Sequence, residues 1–210
     1  MATIPNLTQM MEQYITVQCR YQAALREMRT KLEILDEEFQ LRNKRNPIHA
    51  MLSRMKTLPS IIDKLQRKNL PISLDSATKE LGDIAGMRVI CSYLDDIYTL
   101  YDLLAAQDDI LIKETRDYIK APKANGYRSL HMLLEIPVHL AEGKVYVPVE
   151  IQIRTIAMDF WASLEHQLRY KEPDAVPKHL NEDLLKCAED IAAIDLKMQA
   201  IYDTVAKLTK

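Results

Sequence analysis

Glycine is scarce, with four in 210 residues, which disfavours a many-turned all-β fold. Cysteine is rarer still. Cys19, Cys91 and Cys187 are odd in number and far apart, so no metal-ligand spacing and no disulfide framework is visible. A reducing, cytoplasmic compartment is expected. No apolar run approaches the ~18 residues of a membrane span. The N-terminus lacks the basic stretch and apolar core of a signal peptide. A formal charge of −2 argues against bulk electrostatic binding to nucleic acid, where a basic footprint is expected, but leaves room for a local basic cleft.

What is present suits one globular core. Apolar residues make up 48% of the chain, and the length fits one domain or one domain with helical extensions. Met11, Tyr14, Gln18, Tyr21, Leu25, Met28, Leu32, Leu35 and Phe39 step by three and four, which predicts one long helix over 6–42. Asn46-Pro47 ends it. Leu184, Cys187, Ile191, Ile194, Met198, Ile201, Val205 and Leu208 repeat the pattern over 180–208. Such stripes pack on each other or on a sheet, or form a subunit interface. Between them, helices are predicted at 60–68, 74–81, 95–106 (capped by Asp95) and 156–170, and strands at 84–93, 110–116, 129–137 and 144–154. The last two strands form an antiparallel hairpin through Glu142-Gly143, and Pro173 and Pro177 mark the loop before the terminal helix.

The chemistry concentrates in a few stretches. Residues 117–131 hold Lys120, Lys123 and Arg128, the aromatics Tyr118 and Tyr127, an Asn125-Gly126 turn and His131. Flexible cations and amide donors suit phosphate oxygens, and an exposed tyrosine ring suits a nucleobase. In 145–154 the odd positions are all Val or Ile, while Glu150, Gln152 and Arg154 fall on the opposite face of a period-two strand. That row reads either as a solvated face or as the floor of a polar cleft. Pro148 removes a ladder donor and predicts an edge, a bulge or a late start. Asp83 stands at the mouth of its strand, and Arg88 inside that strand wants a partner, protein or ligand. Asp83 and Glu150 together suit one Mg²⁺, which takes oxygen ligands and needs only one or two carboxylates besides substrate phosphates. Ser60 and Lys64, one turn apart near a helix start, favour an anion.

These residues occur in a set order. Arg54-x-Lys56-x-x-x-Ser60-x-x-x-Lys64 comes first, then Asp83-Ile-Ala-Gly-x-Arg88. Next is Tyr118-Ile-x-x-x-Lys123-x-Asn125-Gly126-Tyr127-x-Ser129-x-His131. Glu150-Ile-Gln152-Ile-Arg154-Thr155 and Met158-x-x-Trp161-Ala-x-x-Glu165-His166-x-x-x-Tyr170-Lys171 complete it. The set resembles a RelA/SpoT-type (p)ppGpp synthetase domain over about residues 47–171. The chain's size is similar to that of a stand-alone small alarmone synthetase. The resemblance implies an α+β fold, with a mixed, largely antiparallel sheet of about five strands, flanking helices and long terminal helices, as in nucleotidyltransferase-like synthetases. It divides the chain into an N-terminal helical extension (1–46), a catalytic domain (47–172) and a C-terminal helical extension (173–210).

It also implies GTP pyrophosphokinase activity of the stringent response: transfer of pyrophosphate from ATP to the ribose 3′-hydroxyl of GDP or GTP, as a homotetramer. Asp83 would hold Mg²⁺, and Glu150 would activate the 3′-hydroxyl and touch the metal. Arg54 and Arg88 would sandwich adenine, with Lys56, Ser60 and Lys64 on the ATP phosphates. Tyr127 would stack on guanine, with Lys123, Asn125, His131 and Gln152 on the GTP side and Arg154 as support. The His-Asp pair of a hydrolase is absent from the sequence, so no hydrolase activity is expected.

Two other readings stand beside this one. The same fold can pyrophosphorylate a tRNA 3′ end, which a basic strip beside the acceptor pocket would favour. Alternatively the chain is a non-catalytic nucleotide- or RNA-binding oligomer, with Arg42, Lys44 and Arg45 taking single-stranded RNA or an allosteric (p)ppGpp.

Overall fold

The computed structural model describes residues 7–43, 45–171 and 178–208. Its order is α1 (Leu7–Asn43), β1 (Ile48–Met55), α2 (Leu58–Arg67), α3 (Leu74–Glu80), β2 (Ala85–Cys91), α4 (Leu94–Ala105), β3 (Leu111–Asp117), β4 (Leu130–Leu140), β5 (Gly143–Thr155), α5 (Ile156–Lys171) and α6 (Lys178–Leu208). The strands form one sheet in the order β1-β2-β5-β4-β3. Only β2 and β5 run parallel; the other pairs are antiparallel. The α+β expectation therefore holds. The predicted loop prolines, Pro173 and Pro177, and Lys44 lie outside the described residues.

Helix α1 lies across the sheet, and its stripe supplies Tyr21, Ala24, Leu25, Met28 and Leu32 to the same core as Met132, Leu134, Val149, Ile151 and Ile153. The alternation of β5 is realised: Val147, Val149, Ile151 and Ile153 are buried, while Glu150 and Gln152 are half-buried on the other face. Pro148 sits opposite Glu135 on β4, whereas pairing with β2 starts only at Glu150. Its missing N–H therefore falls where β5 has a free edge.

Three findings differ from the sequence expectations. First, residues 48–55 form an edge strand that no pattern announced, because burial along Ile48–Met55 does not alternate cleanly. Second, Asp95 does not cap α4. Tyr93 holds the N-cap position, and the Asp96 carboxylate reaches back to accept from the Tyr93 N–H at 3.1 Å. Asp95 instead meets Gln199 of α6, whose Oε1 accepts from the Asp95 N–H and whose Nε2 donates to its carboxylate. Third, the apolar stripe of α6 is mostly not its buried face. Leu184 and Ile191 pack beside Trp161, but Ile194, Met198, Ile201, Val205 and Leu208 are exposed. The helix docks through Ala188, Asp195 and Gln199, because its partners at Thr155 and Asp95 are polar.

Arg45 is also not the free cation expected of a basic cluster. Its guanidinium makes a two-pronged bond to Asp96, donates to the Tyr202 hydroxyl at 2.7 Å, and lies over the rings of Phe39, Tyr93 and Tyr202. Arg42 pairs with Glu38. Asp96 is 1% exposed, so removing its cation strands a buried charge. Arg45→Ala is expected to destabilise the fold by about 3–5 kcal/mol, measurable as a lower urea midpoint at unchanged slope.

Candidate active site

Two cross-strand rows on the polar face of the sheet build the site. One runs Arg54 (β1), Gly86 (β2), Glu150 (β5) and Leu133 (β4). The next runs Leu52, Arg88, Gln152, His131 and Arg116, crossing all five strands. Glu150 lies on the boundary between two clefts. The larger, about 460 Å³, is lined by Lys64, Lys68, Asp83, Glu114, Arg116 and His131 among others. The smaller, about 260 Å³, is lined by Leu52, Ser53, Arg54, Gly86, Met87, Arg88 and Gln152. The two sequence-predicted carboxylates thus share one cleft.

Asp83 is held by two lysines brought from different elements. Its Oδ2 accepts from Lys56 at 2.6 Å, just past β1, and from Lys64 at 2.5 Å, on α2. Thr57 starts α2 by accepting from the Ser60 N–H, and Pro59 fits the first turn, where no intrahelical N–H is needed. That cap aims Lys64 back at the cleft. Ser60 itself is exposed, its hydroxyl 3.0 Å from that of Thr57. Burial pushes the Asp83 carboxyl up, but the hydrogen bonds from Lys56 and Lys64 outweigh it and hold it below the usual aspartate range. Its Oδ1 is buried without a hydrogen-bond partner among the described residues.

Glu150 is organised from the other side. Burial raises its carboxyl, bonds from His131 and Gln152 more than reverse this, and the neighbouring Asp83 charge opposes them; the net direction is down. Gln152 Nε2 donates to Glu150 Oε2 at 2.8 Å, and Gln152 Oε1 accepts from Arg154 at 2.7 Å. An arginine only donates, so this bond fixes which end of the amide faces Glu150. A second branch of the network runs through Tyr127. Its oxygen accepts from Arg154 and lies 2.8 Å from His131 Nε2, while His131 Nδ1 lies 3.5 Å from Glu150 Oε1, so the ring links the tyrosine to the carboxylate. Arg154, 4% exposed, also reaches Ser129 and Asp159.

The loop before β4 completes the site. Lys123 lies over the rings of Tyr118 and Tyr127, at 4.6 and 4.8 Å from their centroids. Asn125 accepts from the Tyr127 N–H and donates to Glu165. Gly126 has φ +88°, and a Cβ there would fall 2.5 Å from that of Ala188, so only glycine serves. The Tyr127 ring, expected to be exposed, is half-buried against the Trp161 cluster.

Among the described residues no group of three or more His, Cys, Asp or Glu could hold a metal ion. The two-carboxylate set still fits a hard cation that completes its shell with phosphate and water. An ionised Asp83 with one unsatisfied buried oxygen is the observation that favours it. Sequence reasoning missed Asp159, which bridges Arg88 and Arg154, and Glu114 and Arg116, which line the larger cleft. Asp159 follows Met158 in a motif whose fixed positions drew attention away from it. Glu114 and Arg116 gave a signal only as alternate charges on a strand.

The profile described as a region found in RelA / SpoT proteins matches residues 53–175. GTP pyrophosphokinase YwaC of Bacillus subtilis (strain 168) is 44% identical over 200 residues, covering 95% of this chain and 95% of that protein. The crystal structure of small alarmone synthetase 2 from Bacillus subtilis matches with a TM-score of 0.80 and 44% identity, covering 88% of this chain and 96% of that one. Small alarmone synthetase 1 of the same organism, bound to its product pppGpp, matches at TM-score 0.84 and 34% identity, over 92% and 98% of the two chains. The same enzyme bound to AMPCPP gives 0.79 and 31%, over 93% and 99%. No described helix is long and apolar enough to cross a membrane. With a profile spanning more than half its length and a near-full-length relative at this identity, the chain belongs to the RelA/SpoT family.

Proposed function

We propose that this protein is a small alarmone synthetase that transfers the pyrophosphoryl group of ATP to the ribose 3′-hydroxyl of GDP or GTP, giving ppGpp or pppGpp and AMP. The observation that carries this reading is the pair of carboxylates, both held ionised in one cleft, with cations on either side. The catalytic unit is residues 47–172, and the reaction is cytoplasmic. ATP occupies the side of Arg54 and Arg88, whose guanidiniums suit a purine π face. Lys56, Lys64 and Ser60 meet its phosphates. Both lysines now neutralise Asp83, so they are already collected where a triphosphate must go. Guanine stacks on Tyr127, displacing Lys123 from the ring towards phosphate, with Asn125, His131 and Gln152 fixing that half of the site.

Asp83 and Glu150 are the residues that would hold Mg²⁺, which neutralises phosphate charge when bound. Glu150 takes the proton of the 3′-hydroxyl, whose oxygen attacks the β-phosphorus of ATP while the bond to the α-phosphate oxygen breaks. Such transfers ask mainly for positioning and charge stabilisation. Three of the cations on this side are paired with acids, Arg116 with Glu114, Lys120 with Asp117 and Lys113 with Glu135. That pairing weakens the case for a basic strip that would take tRNA. The exposed face of α6, together with Phe160, Leu164 and Leu168 of α5, supports assembly through the C-terminal helices, which we assign to a homotetramer.

Incubation with Mg²⁺, labelled ATP and each guanine nucleotide should yield a 3′-pyrophosphorylated product and AMP; ATP consumption independent of a guanine nucleotide would refute the assignment. Glu150→Ala should retain ATP binding and lose about 10²–10⁴-fold in turnover; near-normal turnover removes it as the base. Tyr127→Ala should weaken GDP or GTP by roughly 5–150-fold, the ~1–3 kcal/mol of a base stack, with ATP affinity little changed. The acid limb of kcat/KM, read as a pH profile, should lie below the ordinary glutamate range, because the base works only when ionised. His131→Ala removes the largest interaction opposing burial, so that limb should move to higher pH.

A further inference from the structure

Asp159 lines neither cleft, yet it joins the residues that shape both. Helix α5 begins where β5 ends, and Thr155 caps it by accepting from the Met158 N–H at 3.0 Å. That cap turns the first helical turn back over the sheet and aims Asp159 between two parallel strands. Its Oδ1 lies 3.0 Å from Arg88 NH1 on β2 and 3.2 Å from Arg154 NH1 on β5. One carboxylate oxygen therefore serves two guanidiniums that would otherwise repel each other at close range.

Each arginine spends its remaining capacity on a different half of the site. Arg88 faces the smaller cleft with Arg54. Arg154 holds the Tyr127 hydroxyl and Gln152, and Gln152 holds Glu150. A continuous chain of charge-assisted bonds thus runs from the donor-side arginine, through Asp159, to the acceptor ring and the base. An ion triad in which only Arg88 keeps substantial contact with water is a poor way to stabilise a fold, since apolar replacements of buried ion pairs often do as well or better. Its directional bonds are good at fixing orientation.

We propose that Asp159 is a positioning residue that couples the two nucleotide pockets, setting Arg88 against the donor purine and Arg154 behind Tyr127, Gln152 and Glu150. This rests on the assignment of Arg88 to the ATP side made above. Burial pushes the Arg154 guanidinium down; Tyr127 pulls it up, Arg88 pushes it down again and Asp159 pulls it back, as expected where one anion balances two cations. Removing that anion lets the two side chains separate and changes both pockets at once.

The test is steady-state kinetics with ATP and GDP varied separately, for Asp159→Asn, Asp159→Glu, Arg88→Ala and the Asp159→Asn/Arg88→Ala double variant, each checked by thermal melting. Asp159→Asn keeps the shape and the Oδ1 acceptor, so it tests the charge without emptying the site. The expected result is a rise in KM for both nucleotides and a loss of about 10–100-fold in kcat/KM, with partial recovery in Asp159→Glu. In the Arg88→Ala background, Asp159→Asn should no longer change KM for ATP but should still raise KM for GDP. Wild-type KM values in Asp159→Asn, or a fall in kcat matched only by loss of folded protein, overturn the proposal. So does full additivity with Arg88→Ala. If Arg88→Ala itself leaves KM for ATP unchanged, the donor-side reading of Arg88 fails, and a residual effect of Asp159→Asn on GDP alone then refutes coupling as well.

Discussion

A guanidinium with almost no access to water must find acceptors for its fixed fork of donors, and Arg154 is the residue whose demand organises this molecule. The acceptors are Ser129 and Tyr127 in the loop before β4, Gln152 on β5 and Asp159 in the first turn of α5. Because arginine can only donate, its bond to Gln152 sets which end of that amide turns away from it. Gln152 must then point its amide N–H at Glu150, and the Tyr127 hydroxyl is held against His131. A single buried cation thereby fixes the direction of a network that ends on the carboxylate proposed as base.

The charge arithmetic of the clefts follows from the same constraint. Desolvation pushes the Asp83 and Glu150 carboxyls up, and specific donors more than reverse it: two lysines for one, a histidine and an amide for the other. The lysines converge only because β1 and the capped start of α2 both open onto the mouth of β2. The arrangement is poised for polyanions, since cations already gathered around a carboxylate can shift to phosphate without crossing solvent. This is how a chain with a net charge of −2 presents a locally cationic site.

The terminal helices divide their work differently than their similar patterns suggest. Helix α1 completes the core with its stripe. Helix α6 is tied down by polar groups, with Gln199 at the start of α4, Asp195 accepting from Thr155, and Arg128 donating to the Ala188 carbonyl. Trp161 also donates to the Leu184 carbonyl, so the first half of α6 backs the Asn125–Arg128 loop directly. Beyond Ile191, its stripe residues Ile194, Met198, Ile201, Val205 and Leu208 are thereby left exposed.

Local periodicity was enough to place most elements and to put Glu150, Gln152 and Arg154 on one face, because the geometry of a strand or helix is written every second or every three to four residues. Composition marked the Asn125-Gly126 turn, and the ordered motifs carried the resemblance to the family. Pairing is a different matter. That β2 runs parallel to β5, that the irregular segment Ile48–Met55 closes the edge, that Arg45 serves Asp96 rather than solvent, and that Asp159 stands between two arginines all depend on residues distant in the chain. Which hydrogen-bond donor meets which acceptor is settled by packing, where burial makes an unsatisfied charge costly, and no local spacing records that cost.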